Sequence, residues 1–455
     1  MSQLFTQNGR RRESRNIFLQ LKQHRQFIFV LSLFFILHIP FLFYPKFMIF
    51  DEMHYVPSLH AVLRGSSNTN LEHPPLAKLF MSLGTLIFWD NYDIGPLGPP
   101  TGWRIFSVFF GLLSLVFFYA LILSQTKNQT LALYSSALLA FENLFFITSS
   151  IGILDIFFIT FMTLSFLLFF MKHNFLSALS MSLALSCKLS AVMGVLIILV
   201  YGLVHFFKFK KVEIINLLKR YSSWLTAVCL LFLVLLPTFA LIAYRNTSEV
   251  KWSYAYSSST NEVTYLGWYE PNEQLSYLNP LKYISRMIVI ASLLKVKGGI
   301  TSKPWDWLLN PFESKINYYS ANATGGFDVF NQNIRYTLYE YFIGCYTPLV
   351  VLFLFISIPY LAYSYYKFRR ELDLFMLVWF LVGYFIWFPV ALSGRSTYLF
   401  YILPVIPPIC YANIDFLLKH SSKSIAKWYV ILNVLVFIVL FYPLRVWDFS
   451  RLFFI

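Results

Sequence analysis

Residues 27–43 read FIFVLSLFFILHIPFLF, and residues 50–55 read FDEMHY. The first stretch is long and apolar enough to cross a bilayer. The second places two adjacent carboxylates, Asp51 and Glu52, at the mouth of that span, where desolvating charge is costly and function is the default reading. A third stretch, EHPPLAK at 72–78, adds the Glu72 carboxylate, the His73 imidazole, a Pro-Pro helix start and the Lys78 ammonium, with His54 close to the first acids. An acidic loop with no task has no need of these groups.

Outward from this loop, the composition is that of a membrane protein throughout. Hydrophobic residues make up 58% of the 455 positions and charged ones 13%, with a mean hydropathy of +0.62, whereas a soluble domain carries about 25% charged residues. Residues 1–26 form a basic segment, and the apolar run behind it lacks a small-residue cleavage site. It therefore reads as a span, not as a signal peptide. Net charge is +15, gathered in short clusters between apolar runs, which fits topogenic loops and argues against a nucleic-acid partner. Cys187, Cys229, Cys345 and Cys410 lie far apart in apolar contexts and read as buried inert thiols, without metal-ligand or disulfide spacing.

Windows of bilayer-crossing length fall near 27–45, 102–124, 131–149, 151–171, 174–187, 190–207, 222–244, 343–366, 373–392, 398–418 and 427–444. The reading is an all-α polytopic protein of about eleven transmembrane helices within 27–445, followed by a short tail at 446–455. Basic clusters at 10–25, 208–220, 367–370 and 419–427 mark the cytoplasmic side. The 46–101 loop, the 245–342 loop and the turn at Arg395 then share the extracytoplasmic side. In the first loop Pro57 can begin one interfacial helix through Leu63, and Pro74-Pro75 another through Trp89. On the second, Leu76, Leu79, Phe80, Leu83 and Ile87 share a face suited to lipid.

Several residues could carry chemistry. Adjacent carboxylates on a loop point different ways and can serve two partners; one could take a proton from an attacking hydroxyl. Arg104, at the outer mouth of the second span, could hold a phosphate through its planar fork or simply snorkel. Asp155 stands among apolar neighbours near the outer end of the fourth window and needs a polar cavity or a cation; Lys188 and Arg395 are the candidates. Trp305 and Trp307, in SKPWDW at 302–307, offer flat platforms or an aromatic belt. His54 and His73 lack the spacing of a metal site, so loop-shaping roles are favoured over a divalent ion, and no resident cofactor is expected.

The order of these segments carries more than any one of them. The FDE and EHPPLAK loop, GWRIFSVFFG (102–111), ILDIFFITF (153–161), SCKLSAVMG (186–194), SKPWDWLL (302–309) with NYY (317–319), and SGRSTYLFYILPVIPP (393–408) follow one another as in protein O-mannosyltransferases. The chain resembles that family from about residue 40 to 412. The resemblance implies a GT-C-type membrane fold and an inverting transfer of mannose from a polyprenyl- or dolichyl-phosphate donor to Ser or Thr hydroxyls. It further implies Asp51 as base, Glu52 as its neighbouring acid, and Arg104, with Lys188 and Arg395, near the donor phosphate. His54, Glu72, His73, Lys78, Asp155, Trp305 and Trp307 are expected to bind substrate or shape the site. Eukaryotic members insert a β-trefoil in the second long loop, and 245–342 is too short for one, which favours a prokaryotic cell membrane over the endoplasmic reticulum. Aminoarabinose transferases, with a lipid acceptor, share the general plan. A transporter using Asp155, Lys188 and Arg395 is the third reading, but the halves of the chain show no internal symmetry.

Overall fold

The computed structural model describes residues 24–44, 48–64, 70, 72–88, 100–206, 211–244, 279–293, 301–309, 316–317 and 343–442. In chain order the helices are α1 (His24–Phe43), α2 (Glu52–Arg64), α3 (Leu76–Ile87), α4 (Thr101–Thr126), α5 (Gln129–Ala140) and α6 (Asn143–Ser150). Then come α7 (Asp155–Phe170), α8 (Asn174–Cys187), α9 (Val192–Phe206), α10 (Lys211–Tyr244), α11 (Pro280–Leu293) and α12 (Pro304–Trp307). The last are α13 (Pro348–Phe368), α14 (Glu371–Phe385), α15 (Trp387–Leu392), α16 (Ile406–His420) and α17 (Lys423–Val436). Among the described residues the strands are a two-residue antiparallel pair, β1 (Ile316–Asn317) and β2 (Ile343–Gly344), with Ile316 opposite Gly344.

Each of the eleven apolar windows coincides with helix, but seven reach the length and apolarity of a full span among the described residues. The window at 131–149 is a pair, α5 and α6, bent by 63°, which makes eight if counted as one span. The helices α7, α8 and α9 are shorter. The chain is thus an all-helical integral membrane protein in which several windows do not cross as straight rods. The Leu399–His420 stretch is the hub, 89% buried over its span window, while only 22% of the α10 window is covered.

Local chemistry sets the helix ends. Asn128 and Ser422 accept from the N–H groups of Leu131 (3.0 Å) and Ile425 (3.2 Å), capping α5 and α17. The bend after α5 follows from Glu142, whose carboxylate caps α6 by accepting from Phe145 N–H at 3.0 Å. The first loop departs from expectation in one respect: α2 begins at Glu52, and Pro57 lies inside it. The Asp51 carbonyl already accepts from His54 N–H (2.9 Å) and Tyr55 N–H (3.1 Å), so helical bonding starts before the proline. The second helix falls as expected, but its apolar face is divided. Leu83, Leu86 and Ile87 are exposed, whereas Leu76 is buried and Phe80 packs against the rings of Phe106, Phe110 and Phe157. A Cβ on Gly84 would stand 2.1 Å from the Gly102 carbonyl oxygen, so α3 and α4 meet backbone to backbone and only glycine fits.

The two ends of the bundle differ in chemistry. At one end Arg370 pairs with Asp415 (2.8 Å) and Asp373 (2.5 Å), and Arg220 reaches Asn174. The acids of the first loop, Asp155, Lys188 and the SKPW segment gather at the other.

Candidate active site

The site begins at the turn that leads into α2. Phe50 takes φ +51°, in the left-handed region that costs a non-glycine residue about 1–2 kcal/mol. Its ring meets Phe400 edge-on at 5.4 Å. This turn brings Asp51 to the N-terminal edge of α2 and sends Glu52 inward. Glu52 is fully buried, and each carboxylate oxygen accepts two bonds. Oε1 takes Arg104 Nε (2.8 Å) and Gly152 N–H (2.7 Å); Oε2 takes Arg104 Nη2 (2.7 Å) and Ile49 N–H (2.8 Å). Arg104 also donates through Nη1 to the Phe41 carbonyl at 3.0 Å. One ion pair thus fastens the end of α1, the Asp51 turn, the start of α4 and the 151–152 turn. The Arg104 guanidinium, expected at a donor phosphate, is enclosed and turned toward Glu52.

Asp155 opens α7, and Lys188 follows α8 in extended backbone. Their side chains form a buried, two-pronged pair, Lys188 Nζ lying 2.9 Å from Oδ1 and 2.8 Å from Oδ2. The ammonium also lies 5.6 Å from the ring centroid of Phe400 and 5.8 Å from that of Tyr401. Of the two cations expected near Asp155, Lys188 is therefore its partner. Burial pushes the Asp51 carboxyl above the ordinary aspartate range, with the Asp155 charge acting the same way. His54, Lys188 and a hydrogen bond from Tyr55 pull it back. Asp51, Asp155, Lys188, Tyr55 and Tyr401 therefore form one electrostatic neighbourhood.

The remaining first-loop groups build its wall. Lys78 is buried and donates to the Asn70 carbonyl and, at 3.1 Å, to its side-chain oxygen; Asn70 Nδ2 donates to Glu72 at 2.7 Å. Burial lowers Lys78 to about 8, opposed by Glu72. His73 lies edge-on to Tyr55 at 5.9 Å. Burial, then the charges of Lys188, Lys78, Arg395 and His54, hold His73 well below its ordinary value, as a neutral ring. His54 is exposed at the rim. Among the described residues, no three His, Cys, Asp or Glu side chains converge as a metal-holding group.

The SKPW segment docks on the Arg395 turn. Ser302 N–H donates to the Thr397 carbonyl (2.9 Å), and Thr397 Oγ1 donates to the Ser302 carbonyl (2.6 Å). The two tryptophans separate: Trp307 is fully buried and donates to Ser302 Oγ at 2.9 Å, whereas Trp305 is 39% exposed. Arg395 is half-buried, and its Nε finds no hydrogen-bond partner among the described residues.

Sequence reasoning did not single out Tyr55, Asn70, Tyr401 or Thr397. Nor did it find the knot at Glu142, which accepts from Thr347 N–H at 2.8 Å, while Asn143 donates to the Cys345 carbonyl at 2.6 Å. An acid inside LLAFENLFF was the available signal for that knot. The tyrosines carried none, because 30 tyrosines are spread through this chain.

Comparison with known proteins follows the same lines. The family model for dolichyl-phosphate-mannose-protein mannosyltransferase matches residues 26–250. A polyprenol-phosphate-mannose–protein mannosyltransferase of Corynebacterium glutamicum is 32% identical over 128 residues, which are 25% of this chain and span only 23% of that protein's length. The fold is similar to the S. cerevisiae protein O-mannosyltransferase Pmt1-Pmt2 complex bound to the sugar donor, with TM-score 0.68, 13% identity, and coverage of 92% of this chain and 89% of that one. It is also similar to ArnT from Cupriavidus metallidurans bound to undecaprenyl phosphate, with TM-score 0.53, 15% identity, and coverage of 94% and 72%. At such identities the two structures speak to the fold alone.

Proposed function

We propose that this chain, whose residues 26–250 match the family model for dolichyl-phosphate-mannose-protein mannosyltransferase, transfers mannose from a polyprenyl- or dolichyl-phosphate carrier to Ser or Thr hydroxyls of proteins. Asp51 is the base. It takes the proton of the acceptor hydroxyl as that oxygen bonds to the sugar's anomeric carbon, and the bond from that carbon to the phosphate oxygen breaks on the opposite face. The carrier leaves as polyprenyl phosphate, and the configuration inverts.

The observation that carries this reading is the placing of Asp51 among two buried ion pairs, Glu52–Arg104 and Asp155–Lys188. Glu52 and Arg104 hold its backbone through four bonds to the Glu52 carboxylate. Asp155 holds Lys188, whose charge favours ionised Asp51. Both pairs form within the protein itself, so the base is preorganised by it. Of the three cations expected at the donor, Arg395 has an enclosed N–H without an acceptor among the described residues, and we assign it the lipid phosphate. Trp305, exposed in the SKPW segment that docks on the Arg395 turn through Ser302 and Thr397, offers a face to the acceptor or sugar. We assign no step to a divalent ion and place the reaction on the extracytoplasmic face of a prokaryotic cell membrane.

The test is to incubate the purified full chain in nanodiscs with radiolabelled polyprenyl-phosphate mannose, Ser/Thr peptides and membrane lipids. Label in the peptide supports the proposal. Label in a lipid product would move the chain to the aminoarabinose-transferase-like alternative, and donor binding without transfer to either would overturn it.

A further inference from the structure

The Arg395 turn begins at the end of α15. It leaves α15 through Ser393 N–H to the Pro389 carbonyl (3.0 Å) and Gly394 N–H to the Ala391 carbonyl (3.2 Å). Gly394 then takes φ +83°, with nothing within 4 Å of where a Cβ would stand. A glycine turn without packing neighbours leaves the direction of the next side chain open. A reciprocal pair ties the turn down two residues later, where Thr397, 1% exposed, and Ser302 exchange hydrogen bonds of 2.9 Å and 2.6 Å.

Ser302 is itself anchored in core. Its hydroxyl accepts from Trp307 Nε1, the Trp307 carbonyl accepts from Tyr346 OH at 2.5 Å, and the neighbouring Pro304 carbonyl accepts from Tyr384 OH at 2.6 Å. On the far side of the turn Tyr401 stacks on Trp387 at 4.3 Å. Arg395 thus lies between two anchored points, its charge acting on His73 and Tyr401, with an enclosed N–H that has no acceptor among the described residues. An anionic oxygen would satisfy that donor, and holding the guanidinium in place beforehand spares the ordering cost of binding.

We infer that Thr397, through its hydrogen bond to the Ser302 carbonyl, is a positioning residue that aims Arg395 at the phosphate of the lipid carrier. The inference rests on the assignment of Arg395 to the donor made above. It gives the SKPW segment a task besides that of its exposed tryptophan: the segment is the frame against which the phosphate-binding turn is set.

The experiment is equilibrium binding of a polyprenyl phosphate without sugar to the full chain in nanodiscs, with thermal stability measured in parallel. Thr397→Val keeps the shape and removes the donor hydroxyl. One lost hydrogen bond corresponds to about a fivefold to tenfold weaker Kd. Thr397→Ser should restore affinity to within about twofold, since the hydroxyl returns. Arg395→Ala should weaken binding more than Thr397→Val. In the Arg395→Ala background, Thr397→Val should change nothing further, because groups acting through one another are not additive. If Thr397→Val alone loses thermal stability, this cycle still decides. Additive losses, or parental affinity in Thr397→Val while Arg395→Ala is weakened, would overturn the inference and leave the donor assignment standing. Parental affinity in Arg395→Ala would remove both.

Discussion

Arg104→Ala should destabilise the protein before it does anything to donor binding. In the parent, Glu52 has no exposure, and its four accepted bonds come from two Arg104 nitrogens and two backbone N–H groups. Removing the guanidinium leaves a buried carboxylate with the Ile49 and Gly152 amides and no countercharge, and strips the Phe41 carbonyl of a donor. Breaking a buried pair by deleting one partner costs about 3–5 kcal/mol. Against a total of roughly 5–15 kcal/mol, that is a large share of the stability. Glu52→Gln keeps the shape but strands the arginine, and should cost a similar amount. The double variant Glu52→Gln/Arg104→Ala should cost no more than the worse single one, because the second change removes the charge that the first left unpaired. The assay is unfolding in bicelles by titrated SDS, with donor binding measured on the folded fraction. If Arg104→Ala unfolds at the parental SDS concentration while its folded fraction loses the donor, the guanidinium serves the phosphate and the clamp argument fails. Strict additivity of the two changes would refute it as well.

Asp51→Asn should lower single-turnover transfer about 10²–10⁴-fold, the usual worth of a general base, with donor affinity near parental; transfer at the parental rate would move the base elsewhere. Because burial raises the Asp51 carboxyl, the acid limb of the single-turnover rate should lie above the 3.8 of an ordinary aspartate. Lys188 favours the ionised form, so Lys188→Met should move that limb to higher pH among molecules that remain folded; an unmoved limb would separate Lys188 from Asp51. Burial lowers Lys78 from 10.5 to about 8, so across that interval the unfolded chain binds more protons than the folded one. Stability should therefore rise with pH from about 8 and be flat in this respect below it, and Lys78→Met should abolish that slope in a melting series.

What the sequence made legible follows the range over which each signal acts. Helices were readable because apolarity is local, and all eleven windows found helix. Spanning was less readable, because whether α7 or α8 crosses alone depends on what covers it. Asp155 announced its need for a cation, and Lys188 was one of two candidates, since a carboxylate among apolar residues has few remedies. The Glu52–Arg104 clamp joins positions 52 residues apart, and nothing in either neighbourhood distinguishes an arginine that grips a carboxylate from one that grips a phosphate. Trp305 and Trp307 look alike in the chain, yet one is exposed and the other is core. That difference arises from Tyr346 and Tyr384, which reach the segment from elsewhere.

The shortness of α7 and α8 has a consequence for where the reaction takes place. With 16 and 14 residues, at about 1.5 Å each, they are about 24 Å and 21 Å long, whereas the hydrocarbon layer is about 30 Å thick. Asp155 and Lys188 sit at the tips of these two helices, so where their other ends lie at the opposite interface, the floor of the site lies below the level of the surrounding headgroups or the bilayer thins to meet it. Under the proposed function a lipid carrier would present its phosphate from the side with little vertical displacement, while a polypeptide acceptor would dip toward the site from water. Under the proposed transfer, an extended segment would reach such a site more readily than a hydroxyl on a compact domain, and bilayer thickness becomes a variable that sets how far the acceptor must reach.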